Sequence, residues 1–326
     1  MKAIVQHRYG PPSETLEFRE ADRPQPGDDE VLVRVRASSV NPADWFTLVG
    51  HPYVLRPMFG LRRPKHPIPG KDMSGTVEAV GSQVTRFKPG DEVYGELPAG
   101  AFAEYATAPE KVLAPKPANL GFPEAAAVPL AGITALQGIR DVGDVRPGHR
   151  VLINGASGGV GTFAVQVAKS LGAHVTGVCS TRNLDLVRSI GADGVVDYSR
   201  EDFTRGEQSY DVIFDLIGNH SVSAYRRVLR PDGVYIASTG KPGGNVLGPL
   251  PFIFRVALSS LRRNPKAKIF MAKPNPDDLA ELTRLIETGA ITPVIDRTFG
   301  LPETANALAH QGKGHAQGKT VVAVES

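Results

Sequence analysis

The chain has 326 residues, enough for two cores of ordinary domain size, with 41% hydrophobic and 22% charged residues, a composition that folds rather than stays disordered. Thirty-seven Lys and Arg stand against 34 Asp and Glu, a net charge of +3 that is too even for a nucleic-acid footprint over the whole surface. A single cysteine, Cys179, excludes an intramolecular disulfide framework and a thiolate zinc cluster. No run reaches the roughly 18 apolar residues of a membrane span, so a soluble, cytoplasmic protein is expected.

From Met1 to about Pro117 the pattern is β-like. EVLVRVRASSV from Glu30 alternates with period two, DMSGTVEAVGS from Asp72 reads similarly, and Gly and Pro punctuate the neighbouring segments. This half is expected to be a bent, largely antiparallel β domain. From about Phe122 apolar runs and helical patterns alternate: RVLIN, a helix from Gly159, HVTGVC, a helix from Thr181, VVDY, DVIFDLI, a helix near Tyr225, then VYIAS. That alternation implies βαβ units and a parallel sheet with right-handed crossovers. The last part, ending in TVVAV, is expected to fold back onto the first domain.

Residues 151–161, VLINGASGGVG, run from an apolar strand through a glycine-rich turn into TFAVQVAKSLGA, which is helix-like. This is the context a dinucleotide loop requires. Ala156, Gly158 and Gly161 stand at the three key positions of a G-x-G-x-x-G variant: a tight turn, a side-chain-free approach for a pyrophosphate, and close helix-to-strand packing. With Ser157, Gly159 and Val160 between them, they open a helix whose first N–H groups and dipole face an anion. Two other chemistries fit parts of the same letters. GASGG also matches a nucleophile elbow, which would make Ser157 a nucleophile partnered by an acid and by His220, His310 or His315. Against it stand the missing HGGG-type oxyanion motif and the β-rich half upstream. A phosphate-binding P-loop fails because Thr162 stands where lysine is needed.

The end of the next strand, CSTRN, carries Ser180 and Arg182 and no carboxylate before Asp185, a pattern that favours the 2′-phosphate of NADP(H) over the bare ribose of NAD. Tyr198 ends the following strand and is a candidate for the same phosphate; a half-buried strand-end tyrosine is the alternative.

Six blocks in order, SSVNPADW, PGKDMSGTVEAVGSQVTRFKPGDEVYG, GAFAEYATAPE, AAAVPLAGITAL, GASGGVGTFAVQVAKSLGA and GADGVVDY, span essentially the whole length. The chain thereby resembles the zinc-independent quinone oxidoreductase branch of the medium-chain dehydrogenase/reductase superfamily, which includes zeta-crystallin. The resemblance implies an α/β protein with a GroES-like β-rich catalytic domain (1–121, completed by 265–326) and a Rossmann doubly wound parallel-sheet domain (122–264) that binds NADP(H). It implies a nicotinamide in the cleft between the two, contacted by Asn41 and Thr134, lined by Ser238, Thr239 and Gly240 of STGKPGGN, and closed over by residues near Phe270 and Lys319. It also implies a homodimer.

Zinc-dependent relatives carry a cysteine in the region of NPAD and Gly-His-Glu where this chain has Gly70, Lys71 and Asp72, so no metal is expected. Asp44, Asp72 and His66 are read as solvated loop residues. Without a Lewis acid the suited acceptors are already electrophilic, a quinone or another α,β-unsaturated carbonyl. Tyr53 is the candidate proton donor, with Asn41 beside the nicotinamide, and Trp45 and Phe46 either stack on the acceptor or form core. Segments 51–69 and 248–268 combine apolar bulk with Arg62 and Arg63, and Arg262 and Arg263. They read as a lid for a long or anionic acceptor, as an interfacial patch, or as packing elements. A trans-enoyl thioester reductase and a non-catalytic NADPH-binding regulatory or structural protein remain the alternatives.

Overall fold

The computed structural model describes residues 1–238, 244–260, 265–314 and 317–324. The chain forms two compact units, Met1–Ile133 with Pro274–Ser326, and Thr134–Lys273.

The first unit begins with β1 (Lys2–Gln6) and, after the one-turn α1 (Pro12–Thr15), β2 (Leu16–Glu20), which pairs antiparallel with β1. The β-branched run β3 (Glu30–Val40) follows, with nearly every residue buried on both faces, so its alternation in sequence understates its burial. Helix α2 (Pro42–Val49) starts at Pro42, whose missing N–H costs nothing at N1, and stops at Gly50, in the left-handed region at φ 64. A short turn, α3 (Arg56–Phe59), leads to the antiparallel strands β4 (Asp72–Val80), β5 (Glu92–Glu96), β6 (Tyr105–Pro109) and β7 (Leu113–Pro115). Then α4 (Phe122–Ala126) lays Ala126 and Ala127 against Ala37 and Val321, and α5 (Pro129–Leu136) crosses into the second unit.

The second unit alternates strand and helix: β8 (Arg150–Asn154), α6 (Gly159–Ser170), β9 (His174–Cys179), α7 (Leu184–Ser189), β10 (Gly194–Asp197), β11 (Tyr210–Asp215), α8 (Val222–Arg227), β12 (Leu229–Ala237), α9 (Leu250–Ser260) and β13 (Lys266–Ile269). All strand pairs are parallel, in the order β10-β9-β8-β11-β12-β13. The order reverses beside β8, as in a doubly wound dinucleotide-binding sheet, and the crevice at that reversal is where such sheets take ligands. Buried Leu152, Ile213, Tyr225, Tyr235 and Val256 form much of the core on one side.

The chain returns to the first unit through α10 (Pro276–Glu287). Asn275 caps α10 by accepting from the Asp277 N–H at 3.0 Å, and the helix buries Leu279, Leu282, Leu285 and Ile286 at helical spacing. Strand β14 (Ile295–Gly300), α11 (Thr304–Gly312) and β15 (Lys319–Ala323) complete a sheet of order β14-β15-β3-β4-β5-β7, with β6 also on β3. The C-terminal strand therefore lies beside β3 in the middle of the first unit's sheet.

Candidate functional site

The glycine loop has the expected strand-turn-helix setting. Gly155 is at φ 92, and the N–H groups of Gly155 and Ala156 both donate to Val178 O of β9, which ties the bend to the neighbouring strand. A Cβ on Gly161 would collide with backbone atoms of Gly155 and Ala156, so only glycine lets α6 sit this close to β8. At Gly158 a Cβ would meet only Gly155 O at 3.5 Å, which leaves its Cα face open to a ligand. The first turn of α6, with Gly159, Val160 and Gly161, presents N–H groups that have no intrahelical acceptor. The loop is therefore shaped for a diphosphate.

Ser157 is buried and its hydroxyl accepts from Nδ2 of Asn183 at 2.8 Å. His220 faces Asp202 and Phe203, and His310 pairs with Asp296 at 2.6 Å; His315 lies outside the described residues. The hydroxyl is thus held by an amide, an arrangement that does not activate a nucleophile.

At the end of β9, Ser180 is half-buried and Arg182 exposed; Tyr198 is exposed after β10. The structure adds a residue that the sequence reading missed. Asp197, paired in register with Cys179, accepts from Thr181 Oγ1 and Ser199 Oγ, each at 2.5 Å, and lies 3.4 Å from Arg200. Those hydrogen bonds, Ser199's first, hold its carboxyl below the usual range. The region is therefore not free of carboxylate, but the charge of Asp197 is bound from several sides. Parallel pairing of β9 and β10 was the available signal.

In the first unit, strand register gathers a second polar cluster. Ser39 stands opposite Asp72 on β4, and Val40 opposite Thr320 on β15, so Lys319 falls opposite Asn41. Nζ of Lys319 donates to Asn41 Oδ1 at 2.5 Å and to Val40 O at 3.2 Å, and lies 3.4 Å from Asp72 Oδ2. Asp72, fully buried, also accepts from Asn41 Nδ2 at 2.9 Å, Ser39 Oγ at 3.1 Å and Leu130 N–H at 3.1 Å. The backbone N–H of Asn41, the N-cap of α2, donates to Oδ2 of Asp44 at 2.8 Å. Burial pushes Asp44 up to about 7, and burial reinforced by the charge of Asp72 does the same to Glu96.

This corrects the reading of Asp44 and Asp72 as solvated loop residues: Asp72 is buried because its strand β4 lies inside the sheet, Asp44 because it sits in the first turn of α2 with its carboxylate turned back onto the Asn41 N–H, and only His66 is exposed. Both ends of the Asn41 amide are engaged inside the protein. Thr134 is buried in α5, and Ser238 directly follows β12; Thr239 and Gly240, like Arg262 and Arg263, lie outside the described residues. Tyr53 is 45% exposed; its ring meets His51 edge-on at 4.7 Å and lies 4.5 Å from the guanidinium of Arg56. Trp45 is half-buried beside Gly312, a core-like placement.

Residues 27–118 match the family described as Alcohol dehydrogenase GroES-like domain and residues 190–322 the family described as Zinc-binding dehydrogenase. The chain is 34% identical over 334 residues to the chloroplast envelope quinone oxidoreductase homolog of Arabidopsis thaliana, covering 99% of this chain and 98% of that protein. It belongs to the zinc-independent quinone oxidoreductase branch of the medium-chain dehydrogenase/reductase superfamily. A second relative, the NADPH-dependent alkenal/one oxidoreductase of Arabidopsis thaliana, is 33% identical over 312 residues, 92% of this chain and 73% of that one. The quinone oxidoreductase structure from Coxiella burnetii superimposes with a TM-score of 0.86 at 29% identity, covering 100% and 99% of the two chains. The fold is therefore a GroES-like domain joined to a Rossmann domain.

Some proteins of this superfamily hold zinc, and the residues here do not fit it. The cluster offers an amide, buried carboxylates and an ammonium already seated within salt-bridge distance of Asp72, so a cation of the protein's own occupies the centre of the donor set. Among the described residues no group of three His, Cys, Asp or Glu converges on one point. The glycine loop, in contrast, fits a nicotinamide dinucleotide, with Gly158 open and Gly161 required.

Proposed function

We propose that this protein transfers a hydride from NADPH to a quinone or another α,β-unsaturated carbonyl. The observation that carries the reading is the loop at 155–161, whose open Cα at Gly158 and sterically obligatory Gly161 fit a pyrophosphate. Its similarity to a quinone oxidoreductase homolog and to an alkenal/one oxidoreductase supports the acceptor class.

NADPH rather than NADH is favoured by Ser180, Arg182 and Tyr198. Arg182 and Arg200 bring two positive charges to a region where Asp197 brings one negative, and Asp197 is already engaged by Thr181 and Ser199. When bound, the dihydronicotinamide supplies the hydride. The chain's own residues bind and orient. Ala156, Ser157, Gly158, Gly159, Val160 and Gly161 seat the phosphates, while Ser238, with Thr239 and Gly240, and Thr134 serve the nicotinamide end. Asn41, locked by Lys319 and Asp72, presents a fixed rather than a mobile edge to the acceptor side. Tyr53, exposed on its loop, is the proposed proton donor to the reduced oxygen or carbon. In the absence of a Lewis acid, conjugation in the acceptor itself carries the charge that hydride addition creates. The family resemblance carries with it a homodimer; among the described residues no helix is long and apolar enough to cross a membrane.

The test is steady-state oxidation of NADPH and of NADH against a panel of quinones, enones, saturated aldehydes and enoyl thioesters. Turnover of quinones or enones with NADPH is expected, and a preference for saturated aldehydes or for enoyl thioesters contradicts the assignment.

A further inference from the structure

Between Asp44 and Asp72 the sequence holds three arginines and two lysines and no aspartate or glutamate, whereas the rest of the chain has more acids than bases. Both ends of this stretch are tied to the Asn41 cluster. It leaves through α2, whose N-cap is Asn41, and returns at Asp72, whose carboxylate accepts from the Asn41 amide at 2.9 Å. In between, the loop is held to the domain. The Tyr9 hydroxyl donates to Gly60 O at 2.5 Å, the Lys65 N–H to Phe59 O at 2.7 Å and the Gln6 N–H of β1 to Pro67 O at 2.7 Å. Arg56 is fixed as well: its Nε donates to Gly50 O at 3.0 Å, and its guanidinium lies 4.6 Å from the ring centre of Tyr9 and 4.5 Å from that of Tyr53. Among the described residues the two terminal nitrogens of Arg56 meet no acceptor, and no acid pairs with Arg56, Arg62, Arg63 or Lys65. The last three are exposed, and beside them so are Met58, at 70%, and Leu61, at 69%. Like charges crowded on one loop repel, and apolar side chains among them gain by leaving water. A ligand that is apolar along its length and anionic at one end answers both.

We propose that this loop selects quinones or enones that carry an anionic group, a carboxylate or a phosphate, on an apolar chain. The chain lies along Met58 and Leu61, and Arg62 and Arg63 hold the anion, for which the planar guanidinium offers paired N–H donors. Arg56, stacked on Tyr53, keeps that ring in place on the same loop. The proposal rests on the hydride-transfer reading and on the place of Tyr53 in it. An anionic lipid surface is the competing occupant, and local structure argues against it. Interfacial binding of that kind uses a long amphipathic helix, whereas α3 is a single turn, Arg56–Phe59, and Leu61 lies beyond its end.

At saturating NADPH, turnover should be compared for a medium-chain enone ending in a carboxylate, for its methyl ester and for a short uncharged enone, at low and at high salt. At low salt kcat/KM for the carboxylate is expected to exceed that for the ester about tenfold or more. The advantage should reside in KM and shrink as salt is added. Arg62→Gln/Arg63→Gln should bring the ratio of carboxylate to ester close to one. Lys88→Gln/Lys111→Gln, which removes the same charge from exposed positions outside the loop, should leave that ratio unchanged. Equal kcat/KM for acid and ester, a preference that survives Arg62→Gln/Arg63→Gln, or one that Lys88→Gln/Lys111→Gln abolishes as well, overturns the proposal while turnover of the short enone leaves the acceptor class standing. Turnover of none of the three overturns both. Equal kcat/KM together with sedimentation on phosphatidylglycerol vesicles that Arg62→Gln/Arg63→Gln abolishes assigns the loop to a lipid surface instead.

Discussion

Lys319 places its Nζ 2.5 Å from Oδ1 of Asn41 across 278 positions of sequence, in a site where its side chain is 3% exposed. The ammonium is compensated by Asp72 and held by Asn41 and the Val40 carbonyl, so it joins the C-terminal strand to the start of α2 electrostatically as well as by backbone pairing. Removing one partner of a buried ion pair leaves the other uncompensated. Lys319→Met is therefore expected to destabilise the first unit by about 3 to 5 kcal/mol in urea unfolding. Adding Asp72→Asn should recover part of that loss, a coupling of about 1 to 3 kcal/mol in the double-mutant cycle. Additive losses would show that the two charges do not compensate each other.

The pH dependence of stability follows from Asp44. Its carboxyl is raised from 3.8 to about 7, chiefly by burial, so from the ordinary carboxylate range up to about pH 7 the native state holds a proton that the unfolded chain has released. Stability from this group is then complete at low pH, falls as pH rises through that window and levels above it. The loss is of order 4 kcal/mol if Asp44 titrates alone. Asp197, held low by its hydroxyl donors, acts in the opposite direction and only below the ordinary carboxylate range. Urea midpoints at about pH 5.5 and about pH 8 should differ in the wild type, the acid side being more stable, and the difference should shrink in Asp44→Asn. An unchanged slope in that variant would contradict the assignment.

Two glycines of the loop should separate packing from ligand approach. Gly161→Ala drives a methyl group into Gly155 and Ala156, and should lower the melting temperature along with nucleotide binding. Gly158→Ala meets little of the protein and should change stability by less than about 1 kcal/mol, yet weaken nucleotide binding about tenfold or more. Thermal melts and fluorescence titrations on both variants check this; nucleotide binding unaffected by Gly158→Ala would place the diphosphate elsewhere.

Ser157→Ala distinguishes the remaining chemistry. It removes the acceptor of the Asn183 amide, a cost of about 1 kcal/mol, and should leave acceptor-dependent NADPH oxidation within a few fold of the wild type. A fluorophosphonate hydrolase probe should fail to label the native protein, and stoichiometric labelling at Ser157 would revive the nucleophile reading.

The second unit was nearly legible as sequence, because a parallel βα repeat writes each element locally: RVLIN, the glycine bend and the helix from Gly159 are contiguous and each has its own periodicity. The first unit's polar cluster was not. Asn41, Asp72 and Lys319 come from strand ends far apart in sequence, and only the register of β3 against β4 and β15 brings them together. Asp44 and Asp72 accordingly looked like loop residues, and Glu96 carried no local mark at all. Asp197 was hidden for the same reason, since its proximity to Thr181 depends on the pairing of β9 with β10.

Parallel titration of the purified protein with NADPH and NADH, in the wild type and in Arg182→Ser, tests the account at its centre. NADPH is expected to bind about tenfold or more tightly than NADH, with most of that difference lost in the variant. Equal affinities in the wild type would remove the 2′-phosphate assignment, and binding of neither nucleotide would contradict the reading of the glycine loop itself.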